Sequence, residues 1–353
     1  MEKYQIYDDI KSRTNGDIYI GVVGPVRAGK STFITNFMQK LVLPNITEKN
    51  TKDRTIDELP QSADGKTIMT TQPHFVPNEA VKIKVANAEM KVRMIDCVGY
   101  LVSGVMGHTE DDKPRLVKTP WSKEELPFEE AAELGTTKVI KEHSTIGICV
   151  TTDGSITDIP RASYVEAEER VIGELKECSK PFVVVLNCKN PNSSEAKKLT
   201  NSLAEKYQVP VIPLNAQELK DDDIDKVVEH ILKELPITSM QVQMPEWLRA
   251  LDYNSEIITE IANEMRKLGS NMMKLSDAEK SQIAFAESNS FDPITVSTID
   301  AGNGVVRFNV IPKEGLFYHV LSDECGYAIR DDFELVSYIK ELAIAKLEYG
   351  FRP

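Results

Sequence analysis

The stretch "GVVGPVRAGKST", residues 21–32, decides the fold of this chain. It closes an apolar run typical of a β-strand and opens a pattern typical of a helix. Within it, the residues from Gly24 to Ser31 satisfy G-x-x-x-x-G-K-[ST], the spacing of a phosphate-binding loop. The two glycines let the backbone wrap a phosphate, Lys30 can neutralise its oxygens, and Ser31 can hold Mg²⁺. The stretch therefore predicts a nucleotide site at this turn.

The whole loop is assigned to nucleotide binding, but one of its side chains receives no separate role. Arg27 is a second cation in the loop, and because surface arginines need no special explanation we expect its side chain to lie in solvent; the alternative is a catalytic arginine finger. The assigned residues are Gly24, Pro25, Val26, Arg27, Ala28, Gly29, Lys30, Ser31 and Thr32.

The run "KVRMIDCVGY" supplies the carboxylate that a Mg²⁺–nucleotide site needs. Its apolar part ends at Asp96, and Gly99 follows three residues later, which is the D-x-x-G arrangement. We expect Asp96 to order Mg²⁺ through water and the Gly99 amide to meet the γ-phosphate. The alternative is an aspartate that only caps a turn.

Between these two motifs, "DGKTIMTTQPHFVP" carries threonines in the interval where such switches place a Mg²⁺ ligand. Thr67, Thr70 and Thr71 lie there, and one of the last two is expected to bind the metal; the alternative is a pair of β-branched residues in an edge strand. Tyr100 occupies the position of a water-orienting glutamine, so hydrolysis must be slow or supported by another group. We assign catalysis to Thr70, Thr71 and Asp96, and metal binding to Ser31, Thr71 and Asp96.

The base end of the site is predicted at "VVVLNCKN", residues 183–190. A guanine site of the Asn-Lys-x-Asp type uses its aspartate to accept two hydrogen bonds from guanine. Here the four residues are Asn187-Cys188-Lys189-Asn190. Asn187 matches the asparagine of the motif, Asn190 replaces its aspartate, and Lys189 lies one position after the lysine of the motif. An asparagine can pair with the donor–acceptor edge of adenine, so Asn190 at this position favours ATP over GTP. The alternative is loose selection between the bases.

Outward from these motifs, short β-rich runs alternate with helical patterns up to about Pro236, which predicts an α/β fold with a mostly parallel sheet. Helices are expected over 164–178 and 194–208, and Glu168 is placed on a solvated face with its charged neighbours Glu166, Glu169 and Arg170. The runs expected to form strands are "IYIGVVG", "VKIKVA", "KVRMID", "IGICVTTDG", "PFVVVLNC" and "VPVIPLNA".

A second, smaller α+β domain is expected to follow. We divide the chain into a P-loop NTPase domain over 1–240 and this domain over 241–353. After the linker-like "PITSMQVQMPEW" we predict one long amphipathic helix over 255–279, a hairpin turning at "AGNGV", and a final helix over 331–348. A charged stretch over 104–130 without apolar periodicity is expected to be a mobile insertion.

Composition limits the function classes. The 353 residues carry a formal net charge of −13, which argues against coating nucleic acid or an anionic membrane. The five cysteines form no C-x-x-C pair and are expected to be buried free thiols. No secretion leader and no run of about 18 apolar residues is encoded, so the chain is expected to be cytoplasmic.

Several of these segments together resemble one family, the stage IV sporulation protein A family of spore-coat morphogenetic ATPases in endospore-forming bacteria. The segments are "GDIYIGVVGPVRAGKSTFI", "ELPQSADGKTIMTTQPHFVPN", "RMIDCVGY", "EHSTIGICVTTDGSI" and "EAEERVI". The resemblance implies a GTPase-like fold of the translation-factor-related class that hydrolyses ATP with Mg²⁺. It places the phosphate loop on Gly24 to Ser31, the sensor threonines on Thr70 and Thr71, and the acidic switch residue on Asp96.

The resemblance also implies partners. It indicates polymerisation over the outer forespore membrane, in the mother cell, as the basement layer to which spore-coat proteins add. Members of the family carry a further C-terminal region that attaches to the membrane through a small amphipathic peptide; this chain ends at "YGFRP", and we expect that region to be absent from it. The alternative functions are a GTPase-like switch that recruits partners through its second domain, and a scaffold in which nucleotide is only structural.

Overall fold

The chain forms two compact units. The computed structural model describes residues 3–60, 73–85, 88–103, 109–110, 113–119, 121–122, 124–279 and 283–348. The first unit comprises Met1–Pro236 with Ala301–Asn303, and the second comprises Ile237–Asp300 with Gly304–Pro353.

The strands of the first unit include a central set and four short ones. They are β1 (Asp17–Val23), β2 (His74–Val85), β3 (Ala88–Asp96), the short β4 (Thr109–Glu110), β5 (Lys113–Pro114), β6 (Leu116–Val117) and β7 (Leu126–Pro127), then β8 (Ile146–Thr152), β9 (Phe182–Asn187) and β10 (Val211–Leu214).

Six of these strands form one sheet in the order β10-β9-β8-β1-β3-β2. All neighbours are parallel except β2, which pairs antiparallel with β3 at the edge. Every residue of β8 and β9 is buried, as expected where helices cover both faces of a sheet. The predicted α/β fold with a mostly parallel sheet is confirmed, and each of the six apolar runs is one of these strands.

Helices connect and cover the strands of the first unit. Those predicted over 164–178 and 194–208 are confirmed, and Ser193 caps the second by accepting a hydrogen bond from the Ala196 amide at 3.1 Å. The helices are α1 (Lys3–Thr14), α2 (Lys30–Phe37), α3 (Lys49–Asp57), α4 (Phe128–Lys138), α5 (Val165–Glu177), α6 (Ser194–Tyr207) and α7 (Asp221–Lys233), with π-helical turns at Met38–Val42 and Val139–His143 and 3₁₀ turns at Leu43–Asn45 and Arg161–Tyr164.

The prediction that Glu168 lies on a solvated face is wrong. Glu168 is fully buried, and its carboxylate accepts hydrogen bonds from the hydroxyls of Thr151 and Tyr207 and from the guanidinium of Arg161. These donors offset the cost of removing the charge from water, which helical periodicity alone cannot show. The neighbouring charges are exposed as predicted: Glu166, Glu169 and Arg170.

The expectation of a mobile insertion over 104–130 is wrong for much of its described part. There β4 pairs with β5 and β6 with β7, and α4 begins inside the segment. Val117 and Phe128 are buried in the core, and the Phe128 amide donates to the Arg115 carbonyl at 2.7 Å. Two isolated apolar residues anchor the segment, and so few leave no periodic signal in the sequence.

The second unit has a small mixed sheet. Its order is β11-β13-β12, with β11 parallel and β12 antiparallel to β13. The predicted hairpin at "AGNGV" is confirmed, whereas the stretch read as a linker contains β11. Its elements are β11 (Ser239–Gln243), a 3₁₀ turn (Glu246–Ala250), α8 (Glu256–Asn271), α9 (Leu275–Glu279), β12 (Val296–Asp300), β13 (Val305–Asn309), α10 (Leu316–Cys325) and α11 (Asp332–Glu348).

The single helix predicted over 255–279 is wrong, because it is interrupted between α8 and α9. The Asp277 carboxylate accepts from the amides of Met273 and Lys274 at 3.1 Å each, so it caps a new helix start. The final helix is confirmed as α11. Within the part of the chain that the structure describes, no helix is both long and apolar enough to cross a membrane.

The cysteines divide between core and surface. All five are free thiols, as predicted, and Cys97, Cys149 and Cys188 are buried. Burial raises the pKa of the Cys97 thiol to about 11. Cys178 is half-buried and Cys325 exposed, so the expectation of burial is wrong for the last of these.

Candidate nucleotide site

Lys30 lies at the centre of the candidate site. The strand β1 ends at Val23 and α2 begins at Lys30, so the loop between them turns over the first residues of the helix. Lys30 is only 5% exposed, and its Nζ donates to the carbonyls of Pro25 at 2.7 Å and Gly24 at 3.3 Å. Burial lowers the pKa of Lys30, and the nearby Cys97 and Asp96 oppose that shift. The loop thus holds a desolvated ammonium group against its own backbone.

Ser31 and Asp96 form the second feature of the site. The Ser31 hydroxyl donates to Oδ2 of Asp96 at 2.5 Å, across 65 residues of sequence. Asp96 is 2% exposed, and its other oxygen, Oδ1, accepts no hydrogen bond from any residue that the structure describes. Burial raises the pKa of Asp96, while the Ser31 hydrogen bond and the charges of Lys30 and His74 oppose the rise.

This pair fits a magnesium ion. A buried carboxylate oxygen without a partner is costly unless a cation or water joins it, and hydroxyl and carboxylate oxygens are the ligands that Mg²⁺ prefers. Ser31 and Asp96 would hold the ion, directly or through water, and Mg²⁺ would supply charge to neutralise phosphate oxygens. Among the described residues, no group of three or more histidine, cysteine or acidic side chains forms a separate metal site.

The segment after Asp96 lies directly on the phosphate loop. Gly99 has a φ of 90°, and a Cβ there would lie 2.1 Å from the Gly24 carbonyl oxygen and 2.6 Å from Lys30 Nζ. Only glycine fits such an approach. One residue further, the Tyr100 carbonyl accepts a hydrogen bond from the Val26 amide at 2.9 Å. The two motifs predicted from sequence therefore meet, and Gly99 lies beside the Lys30 ammonium.

The Tyr100 side chain belongs to the core of the first unit. It is 3% exposed, its hydroxyl donates to Glu174 on α5, and the Arg170 guanidinium lies 4.5 Å from the centre of its ring. Thr137 on α4 donates to the same glutamate at 3.1 Å. Burial raises the pKa of Tyr100, and its hydrogen bond to Glu174 raises it further. This side chain is fixed by helices and is not available to orient a water molecule.

Asn187, at the base end, is bonded to protein backbone on both sides. Its Nδ2 donates to the Ala28 carbonyl at 3.1 Å, and its Oδ1 accepts from the Ala216 amide at 3.0 Å. Asn187 is 4% exposed, and a Cβ on Gly29 would lie 2.2 Å from its Nδ2. The structure thus places Asn187 between the phosphate loop and the end of β10. Its amide ties these two segments together.

Asn190 lies beyond the end of β9 in an exposed turn. Its carbonyl accepts from the Ser193 amide at 3.1 Å. The neighbouring Lys189 amide donates to the Ser155 hydroxyl at 3.0 Å, and Ser155 in turn donates to Asp153 at 2.6 Å. The segment after β8 therefore borders the predicted base end of the site. The sequence analysis does not predict this neighbour, and the turn sequence "TTDGS" is the one feature that indicates a loop there.

Five further residues of the sequence analysis remain to be located: four threonines and Arg27. Thr67, Thr70 and Thr71 lie outside the described residues. Thr32 lies in the first turn of α2 and is half-buried. Arg27 is half-buried as well, so its side chain is only partly in solvent, where the sequence analysis expects it.

Comparison with known proteins follows the two-unit division. A family model described as the ATPase domain of stage IV sporulation protein A matches residues 1–236, and one described as its middle domain matches residues 237–351. The stage IV sporulation protein A of Clostridioides difficile (strain 630) is 50% identical over 345 residues, which cover 98% of this chain and 70% of the relative. Those of Bacillus anthracis and Bacillus subtilis (strain 168) are each 42% identical over 350 residues, covering 99% of this chain and 71% of each relative.

Proposed function

The chain belongs to the stage IV sporulation protein A family, and from this premise we propose that it is a P-loop ATPase of the GTPase-like, translation-factor-related class, whose turnover drives its assembly. The observation that carries the proposal is the cluster of Lys30, the Ser31–Asp96 pair and Gly99 around one backbone loop. A buried ammonium, a magnesium-ligand pair and an amide beside both are the parts that phosphoryl transfer requires.

In the proposed reaction, the backbone amides of the loop and the start of α2 bind the phosphates of ATP. Lys30 exchanges its carbonyl partners for β- and γ-phosphate oxygens, so its charge is neutralised by the substrate. Ser31, Thr71 and Asp96 would hold Mg²⁺, which would supply a second positive charge to the phosphate oxygens. Thr70 and Thr71 position the attacking water, because the Tyr100 side chain is fixed elsewhere.

The base is proposed to be adenine. Asn187 keeps the phosphate loop in register with the end of β10, and Asn190 stands where a guanine site needs a carboxylate. A primary amide satisfies the N1–H and amine of guanine much less well than a carboxylate does, whereas it complements the adenine edge. The preference for ATP therefore rests on the loss of one acceptor pair.

The proposal extends to assembly and location. The chain is proposed to polymerise on the outer forespore surface in the mother cell and to receive spore-coat proteins, as the family resemblance implies. The names of the relatives and of the two matched domains support a role in sporulation. Attachment to the membrane through a small amphipathic peptide belongs, in this proposal, to a C-terminal region of the family. Nucleic acid is not proposed as a partner, because the net charge is −13.

A hydrolysis and sedimentation series tests this function. The purified chain would be incubated with Mg²⁺ and ATP, ADP or GTP, then assayed for released phosphate and for pelleted protein. We expect phosphate release and pelleting with ATP, neither with ADP, and weak release with GTP. Preferred hydrolysis of GTP without pelleting would favour the GTPase-like switch, and pelleting without any nucleotide would favour the scaffold.

A further inference from the structure

Arg27 has an unusual backbone conformation within the phosphate loop. Its φ is 61°, in the left-handed region that non-glycine residues rarely adopt. Gly24 and Gly29 of the same loop also have positive φ, as glycines do readily. A cationic side chain therefore occupies a position where glycine would relieve strain. Such outliers at a site point to a function that offsets their cost.

The Arg27 residue is half-buried near the segment that follows β8. The Tyr164 ring near it is fully buried with its hydroxyl 2.8 Å from Thr157 Oγ1. Burial raises the pKa of Tyr164, and the Thr157 hydrogen bond and the charge of Arg27 oppose that rise. A Cβ on Gly29 would lie 3.6 Å from Ile156 of the same segment. The segment after β8, which carries Ile156, Thr157 and Tyr164, thus borders the loop near the Arg27 charge.

Within the part of the site that the structure describes, Tyr100 stands at the position where other switches carry a water-orienting glutamine. Phosphoryl transfer places negative charge on the β–γ bridging oxygen, and a cis or trans arginine commonly neutralises it. The Tyr100 hydroxyl donates to Glu174, and the Tyr100 carbonyl accepts a hydrogen bond from the Val26 amide. Tyr100 is therefore engaged with the protein through both its side chain and its backbone. Among the loop's own residues, Arg27 and Lys30 are the cations.

We propose that Arg27 is a catalytic arginine acting in cis: its guanidinium contacts the β–γ bridging oxygen and the γ-phosphate oxygens as the γ-phosphoryl group leaves, and it stabilises the charge that develops there. Water adds to the γ-phosphorus, the bond to the β–γ bridging oxygen breaks, and its electron pair stays on ADP, while one water proton passes to phosphate or solvent. This inference rests on the proposed ATPase function and adds a residue that stabilises the charge of the leaving group.

Arg27→Gly and Arg27→Lys test the inference in the full chain. Arg27→Gly suits the backbone and removes only the cation, so its thermal midpoint should equal or exceed that of the parent. We expect kcat for ATP to fall about 100-fold or more, the range for loss of such a contact, and Arg27→Lys to be intermediate because it lacks the planar fork. Arg249→Ala, which removes an exposed charge of the second unit, is the matched control and should match the parent.

A binding measurement gives a second readout that does not depend on turnover. Fluorescent ADP would be titrated with and without aluminium fluoride, which mimics the transferring phosphoryl group. Arg27→Gly should keep the parental affinity for ADP but lose the tightening that aluminium fluoride causes.

If Arg27→Gly kept the parental kcat and still bound ADP more tightly with aluminium fluoride, the proposed role of Arg27 would be refuted and the proposed ATPase function would stand. A loss of ADP affinity equal to the loss of turnover would refute it too, because the side chain would then bind the ground state. A parent chain that hydrolyses no ATP would instead refute the proposed function, and this inference with it.

Discussion

The phosphate end and the base end of the candidate site are built in different ways. At the phosphate end, Lys30 and Asp96 are buried charged groups whose partners are loop carbonyls and one hydroxyl, and one carboxylate oxygen accepts nothing from the described residues. At the base end, both polar groups of the Asn187 amide are bonded to protein backbone. The first arrangement is incomplete without a ligand, whereas the second is satisfied without one.

This difference separates chemistry from selection. Buried charges with exchangeable partners gain most from a charged ligand, so affinity and turnover should depend on the phosphate end. Both polar groups of the Asn187 side chain are already bonded to backbone, so this residue should order the loop around a base but add little to the free energy of nucleotide binding. Selection between bases then falls to an exposed residue such as Asn190, where each contact contributes little.

Lys30→Ala is expected to have the largest effect. It removes the buried cation opposite the β- and γ-phosphates, so the affinity for ATP should fall at least about 100-fold. The fold should remain, because Lys30 contributes a desolvated charge to the core and its loss removes that cost. Isothermal titration with ATP and circular dichroism measure the two quantities, and retained affinity would contradict the assignment of the loop.

The double substitution Thr70→Ala/Thr71→Ala should affect turnover and leave binding intact. Binding rests on the loop backbone, Lys30 and Ser31, while the threonines are proposed to position water, so hydrolysis should fall by roughly 10- to 1000-fold. If hydrolysis drives assembly, the variant should bind ATP and stay in the supernatant after sedimentation. Pelleting equal to that of the parent would rule out hydrolysis-coupled assembly.

Asn187→Ala should produce an intermediate effect at the junction of the two ends. It leaves the Ala28 carbonyl and the Ala216 amide without their partner, so the free energy of unfolding should fall by about 1–3 kcal/mol. The affinities for ATP and GTP should weaken by the same factor, because the change loosens the loop and removes no base contact. Urea unfolding and paired titrations check this, and a change in the ATP/GTP ratio would place Asn187 against the base.

Asn190→Asp should have the smallest effect. It restores an acceptor pair for guanine at an exposed position, so the preference should shift toward GTP by about 3- to 10-fold while stability stays within about 0.5 kcal/mol. The shift is limited because Lys189 remains displaced from its usual place. Competition between labelled ATP and GTP measures the ratio; an unchanged ratio would mean that Asn190 does not face the base.

The parts of the site that sequence predicted share one property: each depends on a few neighbouring residues. The loop from Gly24 to Ser31 and the D-x-x-G turn at Asp96 are defined by backbone conformations that local residue types set. The same holds for the strands of the sheet, whose apolar runs were identifiable without knowledge of their partners.

The parts that sequence did not predict depend on partners far along the chain. Glu168 was assigned to solvent but is buried with three donors, and the insertion over 104–130 is anchored by two isolated apolar residues. In the second unit, Asp277 interrupts a continuous amphipathic pattern through two backbone amides. Periodicity measures the average character of a face, so it cannot show where one polar group finds a specific partner.

The amino-acid sequence by itself determined the mostly parallel sheet of an α/β fold, the glycine-rich turn from Gly24 to Ser31 after its first strand, the position of Asp96 at the end of β3, and the family. The tertiary structure alone decided that Tyr100 is a core residue, that the Asn187 amide bonds to Ala28, 159 residues away in sequence, and that Arg27 is half-buried with a positive φ. The physical reason is that a strand or a loop is stabilised by local conformation and burial, whereas the role of a polar side chain is fixed by which distant donor or acceptor packing brings within about 3 Å.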